Sequence, residues 1–196
     1  MTIGLPPLKV LEKATVAAGG TSTAYNASSA YDAAIAYGGD PHQTTIRVPA
    51  SGSIQDLSNF PDDARHIVVL VDGASEDAVS EGTIEVQVND AASVHHDQTL
   101  TGTNTTAAGA RGSSQATMTL GVVPGSSVHA SALGSGWLLF PHAFGTTNHK
   151  AAIAQSGAAE NSVHVNAGRA AVTAAITHLN LTLSTGDWDA GTIVKL

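Results

Sequence analysis

Between Thr83 and Val88 the chain reads Thr-Ile-Glu-Val-Gln-Val, with every second residue apolar. A period of two sets Ile84, Val86 and Val88 on the inward side of an extended strand and leaves the polar residues on the other. The same alternation returns over 175–183, with Leu179, Leu181 and Leu183 on one face and His178, Asn180 and Thr182 on the other. Ser184-Thr185-Gly186-Asp187 then turns the chain, and 191–196 predicts a return strand that makes a terminal hairpin. Residues 115–123 alternate through Ala116, Met118 and Leu120. Residues 66–71 (HIVVLV) form a continuous apolar run, the pattern of a strand buried on both faces.

Further strands are expected at Thr44–Val48, which ends at Pro49, and at Trp137–Phe140, which ends at Pro141. Ile54 and Leu57 precede a turn signal, Phe60-Pro61-Asp62-Asp63. Residues 148–155 and 171–173 carry weaker strand patterns. Residues 99–114 (TLTGTNTTAAGARGSS) are polar and rich in Gly and Thr, and read as a long exposed loop. Helical periodicity nearly vanishes after residue 40. Short strands separated by Gly, Ser, Pro and Asp turns predict an all-β, antiparallel sandwich or barrel over 41–196.

Residues 1–40 differ. Pro6 and Pro7 forbid regular helix, so 1–13 reads as an extended arm, with Leu5, Leu8, Val10 and Leu11 as its apolar grip. The arm lies either on a partner or on its own domain. Tyr25, Tyr31 and Tyr37 recur at a spacing that keeps them on one face of a strand, while the Ala-rich stretch between Tyr31 and Tyr37 favours a short helix. The segment is read as irregular with strands.

The order of segments resembles a known group. HIVVLV is followed by TIEVQVND with its terminal Asn89, the polar Gly112-Ser113-Ser114-Gln115, ATMTLGVVPG, Gly134-Ser135-Gly136 and WLLFP. Gly145-Thr146-Thr147-Asn148-His149-Lys150, LNLTL, the Gly186-Asp187-Trp188 turn and AGTIVKL complete the succession. It is similar to the small jelly-roll structural proteins of tailed-bacteriophage virions, over roughly residues 54–196. It departs from them in stopping at Leu196 without an aromatic-Gly tail. The resemblance implies an antiparallel jelly-roll β-sandwich that self-associates, often as a homotrimer. It also implies a place on the virion, as a capsid decoration (cement) protein or as part of a tail appendage. It carries over no catalytic residue.

Composition narrows the core and the partners. Hydrophobic residues are 42% of 196, aromatics 4% and charged residues 12%, so the core rests on Val, Ile, Leu and Ala. A surface of Ser, Thr, Asn and Gly has few long side chains to immobilise and suits close packing against neighbours. The net charge of −8 comes with no basic run, which argues against nucleic-acid binding. The absence of cysteine excludes disulfides and thiolate metal sites. No apolar run reaches the roughly 18 residues of a membrane span, and the start of the chain shows no secretory pattern, so no membrane role is expected and folding is expected in the cytoplasm.

Nine histidines accompany only eight Lys and Arg. In a strand, neighbours point to opposite faces, so His95 and His96 do not readily share a metal; His129, His142 or His149 would have to be brought in by the fold. The pattern is read as polar surface or interface histidines, and no metal or other cofactor is assigned. Asp187-Trp188-Asp189 supplies too few oxygen ligands at fixed spacing for a calcium loop and is read as a turn whose Trp covers a sandwich edge. No nucleophile elbow, phosphate loop or zinc-protease helix motif occurs, so no catalytic residue is assigned.

The expected function is therefore non-enzymatic. A capsid decoration protein would bind the major capsid protein lattice as a homo-oligomer on the capsid exterior, after assembly in the host cytoplasm. Leu5, Leu8, Val10, Leu11, Tyr25, Tyr31 and Tyr37 are the candidate contacts to capsid or sister subunits. The alternative is a tail appendage that recognises a host surface glycan, with Trp137, Phe140 and Phe144 as a sugar-stacking platform; those same residues otherwise supply the bulky side chains of a small-residue core.

Overall fold

The computed structural model describes residues 57–58, 60, 64–78, 81–103, 105–127, 133–158 and 162–196, and the backbone of strand 45–47. The strands are β1 (Thr45–Arg47), β2 (Leu57–Ser58), β3 (Ile67–Gly73), β4 (Glu81–Val88), β5 (His95–Thr103) and β6 (Thr106–Gln115). They continue with β7 (Met118–Pro124), β8 (Gly134–Phe140), β9 (Lys150–Ala158), β10 (Ser162–Ala170), β11 (His178–Leu183) and β12 (Ile193–Lys195). The described residues contain no helix.

The strands form two antiparallel sheets. The larger has eight strands in the order β1-β12-β3-β8-β9-β10-β5-β6, and the smaller has four in the order β2-β11-β4-β7. β7 packs across β8, β9, β10 and β5, which sets the small sheet over the middle of the large one in a sandwich-like arrangement. Ile84, Val86 and Val88 of β4 and Leu179 and Leu181 of β11 face the core, as their alternation predicts. They meet Ile67, Val69 and Val71 of β3 and Leu138 and Phe140 of β8 in one hydrophobic cluster, which also contains Trp188.

Several sequence expectations need correction. The run 66–71 is buried on one face only: Val69 and Val71 point inward, while Val68 and Leu70 are 45% and 47% exposed on the outside of the large sheet. Residues 99–114 are not a loop. They are the greater part of a β5–β6 hairpin paired from His95↔Gln115 to Thr103↔Thr106, with Thr103 and Thr106 hydroxyls bonded across its tip. The repeated Thr residues there are strand formers, and the small residues of β6 lie flat on the sheet edge. The two C-terminal strands do not form a hairpin: β11 pairs with β4 and β2 in the small sheet, whereas β12 pairs with β3 and β1 in the large one. The connection 184–192 crosses between sheets, with Trp188 as its buried anchor. Residues 171–173 lie outside any strand, just after β10, which the sequence reading had not marked.

Candidate functional site

β9 and β10 sit in the middle of the large sheet, and their alternation runs opposite to that of β4. In β10 the inward residues are Ser162, His164 and Asn166, and the outward ones are Val163, Val165 and Ala167. In β9 Ile153 points outward while Lys150, Ala152, Ala154 and Ser156 point inward. The larger apolar side chains of this pair of strands therefore face away from the core.

Register turns these outward residues into continuous rows. Leu70 pairs with Trp137, Trp137 with Gln155, Gln155 with Val165, and Val165 with Leu100. The next row runs Val68, Leu139, Ile153 and Ala167. Strands in register hold such rows side by side on one face, so five strands share an apolar surface. Ionisable residues at outward positions lie at its margins: Asp72 and Lys195 towards β12, Arg169 and His96 at the foot of β10 and β5, and Arg111 on β6. A shallow open depression of about 370 Å³ lies within the face, where Gly157 adds no side chain between Ser135 and Val163; Trp137 and Gln155 wall it.

Beneath β9, β10 and β5 the inner face carries polar side chains, several of them hydrogen-bonded, beside the aliphatic inner residues of β3 and β8. Nε2 of the buried His95 accepts the Val88 amide at 3.2 Å, and its Nδ1 lies 3.3 Å from the Gln115 carbonyl. The acceptor role of Nε2 assigns the proton to Nδ1, so His95 is neutral and ties β5 to the facing small sheet. Burial pushes its pKa down, against the opposing pull of the Gln115 and Ala116 backbone. The Asp97 carboxylate accepts the amides of Gly112 at 2.8 Å and Thr119 at 2.6 Å, joining β6 to β7. A Cβ at Gly112 would lie 2.3 Å from Asp97 Oδ1, so this bridge requires glycine there. Ser156 Oγ accepts the Val122 amide at 2.8 Å beside the irregular register of β4 and β7.

Two other polar groups complete this layer. The buried Lys150 ammonium donates to the carbonyls of Gly145, Asn148 and Thr173, which pins the 141–149 connection to the segment after β10. Burial lowers its pKa. At the opposite end Ser162 Oγ donates to Glu81 Oε1, and His164 Nε2 lies 3.8 Å from Glu81 Oε2. Burial lowers the His164 pKa and Glu81 partly opposes it. Serine and histidine both address the carboxylate rather than each other, and His164 Nδ1 lies 3.3 Å from the Thr101 hydroxyl on the neighbouring strand. Among the described residues no three His, Asp or Glu side chains converge to hold a metal ion.

The residues singled out in the sequence fall into three groups. Leu5, Leu8, Val10, Leu11, Tyr25, Tyr31 and Tyr37 lie outside the described residues. Trp137, Phe140 and Phe144 do not share a surface. Trp137 is on the outer face, Phe140 is fully buried on the inner face of the same strand, and Phe144 is edge-on to Phe60 with ring centroids 5.7 Å apart. Odd spacing along a strand puts Trp137 and Phe140 on opposite sides. His95 and His96 do point to opposite faces, but His95 is a core residue and not a surface one. The sequence reading missed the outer face itself. Its signal is present in SVHVNAGRA, where Val163 and Val165 alternate with Ser162, His164 and Asn166.

No protein-family model, curated protein or solved structure matches the chain.

Proposed function

We propose that this chain is a non-enzymatic virion structural protein: a capsid decoration protein with a jelly-roll sandwich that binds the major capsid protein lattice as a homo-oligomer. It braces the head from the capsid exterior, after assembly in the host cytoplasm. The observation that carries this reading is the uncharged apolar outer face of the eight-stranded sheet, since a face of that kind works by being covered with protein. The order of strand motifs supports the virion assignment. The arm at 1–13 and the Tyr25–Tyr37 segment are assigned to the capsid and subunit contacts.

A second reading, a tail appendage that recognises a host glycan, draws on one observation. Trp137 offers a ring beside Ser135 and Gln155 at the rim of the outer-face depression, and a sugar can stack on such a ring while hydrogen-bonding its neighbours. Copy number per purified particle, measured by mass spectrometry against the major capsid protein, tests both. Near parity with the capsid protein is the expected result. A few copies per particle would favour the tail, and absence from particles would overturn the virion assignment.

A further inference from the structure

We infer that the outer face of the eight-stranded sheet is a self-association surface, on which a second copy of this chain packs its own identical face. The inference deepens the oligomeric part of the proposed function and commits that face to one occupant.

The argument begins with the inverted alternation of β9 and β10. Ile153 and Val165 are 47% and 46% exposed, while the same strands bury His164, Asn166 and Ser156. The Asn166 amide is buried without a hydrogen-bond partner among the described residues. Such a strand has a costly inside and an apolar outside, which is unfavourable for a sheet that faces water and reasonable for one covered on both faces. Leu70, Trp137, Leu139 and Leu100 extend the same surface across neighbouring strands.

Size comes next. Five strands about 4.8 Å apart, with two apolar rows and one mixed row on either side at a repeat of about 6.7 Å, give a footprint of roughly 24 by 27 Å, rim included. A pair of such faces buries about 1,300 Å², the lower end of the range for stable protein interfaces. The two apolar rows at the centre of the face, ringed by mixed rows that carry Ser135, Gly157 and Arg169, give the apolar middle and polar rim of a protein interface. A sheet face also fits a sheet face, at the roughly 10 Å spacing found inside sandwiches.

Charge then selects the place where two copies can meet. The chain carries a net charge of −8, and like-charged copies repel over most of their surface. Glu76, Asp77, Glu85, Asp90, Asp187 and Asp189 all lie off this face, on the small sheet or in connections. The centre of the face holds no ionisable group, so its burial against a copy strands no charge. A face that covers itself favours a two-fold pair over the trimer that the virion resemblance implies.

The test is sedimentation velocity of the full chain over a dilution series, with the double substitution Ile153→Lys/Val165→Lys and the control Thr182→Lys on the small sheet. Expected are a concentration-dependent dimer and a dissociation constant raised on the order of thirtyfold or more by the double substitution, with an unchanged circular dichroism spectrum. The control should dimerise normally. A monomer at all concentrations, a trimer, or a dimer indifferent to the double substitution would overturn the inference. Acrylamide quenching of the unmodified chain gives a second readout that needs no variant. Of the two tryptophans, Trp188 is fully buried and Trp137 is 38% exposed. Quenching should therefore fall as the concentration rises, and quenching that stays constant also overturns the inference. Copy number on particles is independent of either result, so a failure here leaves the virion reading standing.

Discussion

β4 and β10 alternate equally cleanly and in opposite senses. β4 buries Ile84, Val86 and Val88 and turns Thr83, Glu85 and Gln87 outward; β10 buries Ser162, His164 and Asn166 and turns Val163 and Val165 outward. The outer face of the small sheet, to which β4 belongs, follows the ordinary rule for a sheet in contact with water: His178, Asn180 and Thr182 of β11 continue its polar surface. The outer face of the large sheet breaks that rule across five strands. Folding accounts for the first pattern, because burial of aliphatic side chains drives it. It does not account for the second, where apolar groups are left outside while β10 draws Ser162, His164 and Asn166 in at a cost. The comparison separates a surface ordinary for contact with water from one that the folding of a single chain does not explain.

The sharpest way to break this distinction is on β8, where three residues separate the two environments. Phe140→Ala removes a fully buried ring from the core and should cost about 3–5 kcal/mol in urea unfolding. Trp137→Ala on the outer face should cost under about 1 kcal/mol when the protein is dilute enough to be monomeric. Comparable losses at the two positions would mean that the outer face is packed like a core within one chain.

A smaller effect tests the polar interior. Burial lowers the His95 pKa from the ordinary value of 6.5, in keeping with the acceptor role of its Nε2, and His164 is shifted the same way. The unfolded chain binds these protons first as pH falls, so stability is fully present above 6.5 and declines as pH drops through and below that value. Protonation of His95 Nε2 also removes the acceptor for the Val88 amide, which should cost on the order of 1–3 kcal/mol. Urea midpoints above and below 6.5 should differ for the native chain, and His95→Gln should shrink that difference. A midpoint indifferent to pH across this range would show that the imidazole is not the acceptor.

The sheets themselves were largely legible in the sequence. TIEVQV and LNLTL were found by their alternation, because aliphatic side chains must reach a shared core and the pleat permits only every second residue to do so. The run HIVVLV reads correctly as a strand but not as one exposed on its outer face, since a sequence records that Val68 and Leu70 are apolar and not what covers them. β5 and β6 were hidden for a different reason. Their ladder is held by backbone pairing and by the Asp97 bridge to Gly112 and Thr119, which leaves no hydrophobic period to read. His95 reads as a surface group in the sequence because a single chain of letters does not reveal that Val88 and Gln115 supply its two partners. The candidate site was legible only in part. Trp137 could be singled out for its chemistry, but the rows that surround it depend on the register of strands far apart in sequence.

The smallest expected effect lies on the ordinary face. Thr182 stands directly opposite Glu85 in the pairing of β11 with β4, so Thr182→Lys places an ammonium across the strands from a carboxylate. An opposite-charge cross-strand pair contributes about 0.2–1 kcal/mol, and the exchange of a β-branched residue for lysine removes a comparable amount of strand preference. The two terms should nearly cancel, leaving a change within about 0.5 kcal/mol in urea unfolding. Salt separates them, because it screens the charge pair and leaves the strand preference alone. The variant should therefore match the native chain at low salt and fall slightly behind it at high salt. A large loss at low salt would mean that this face is also covered by protein, and the contrast between the two sheets would fail from its polar side.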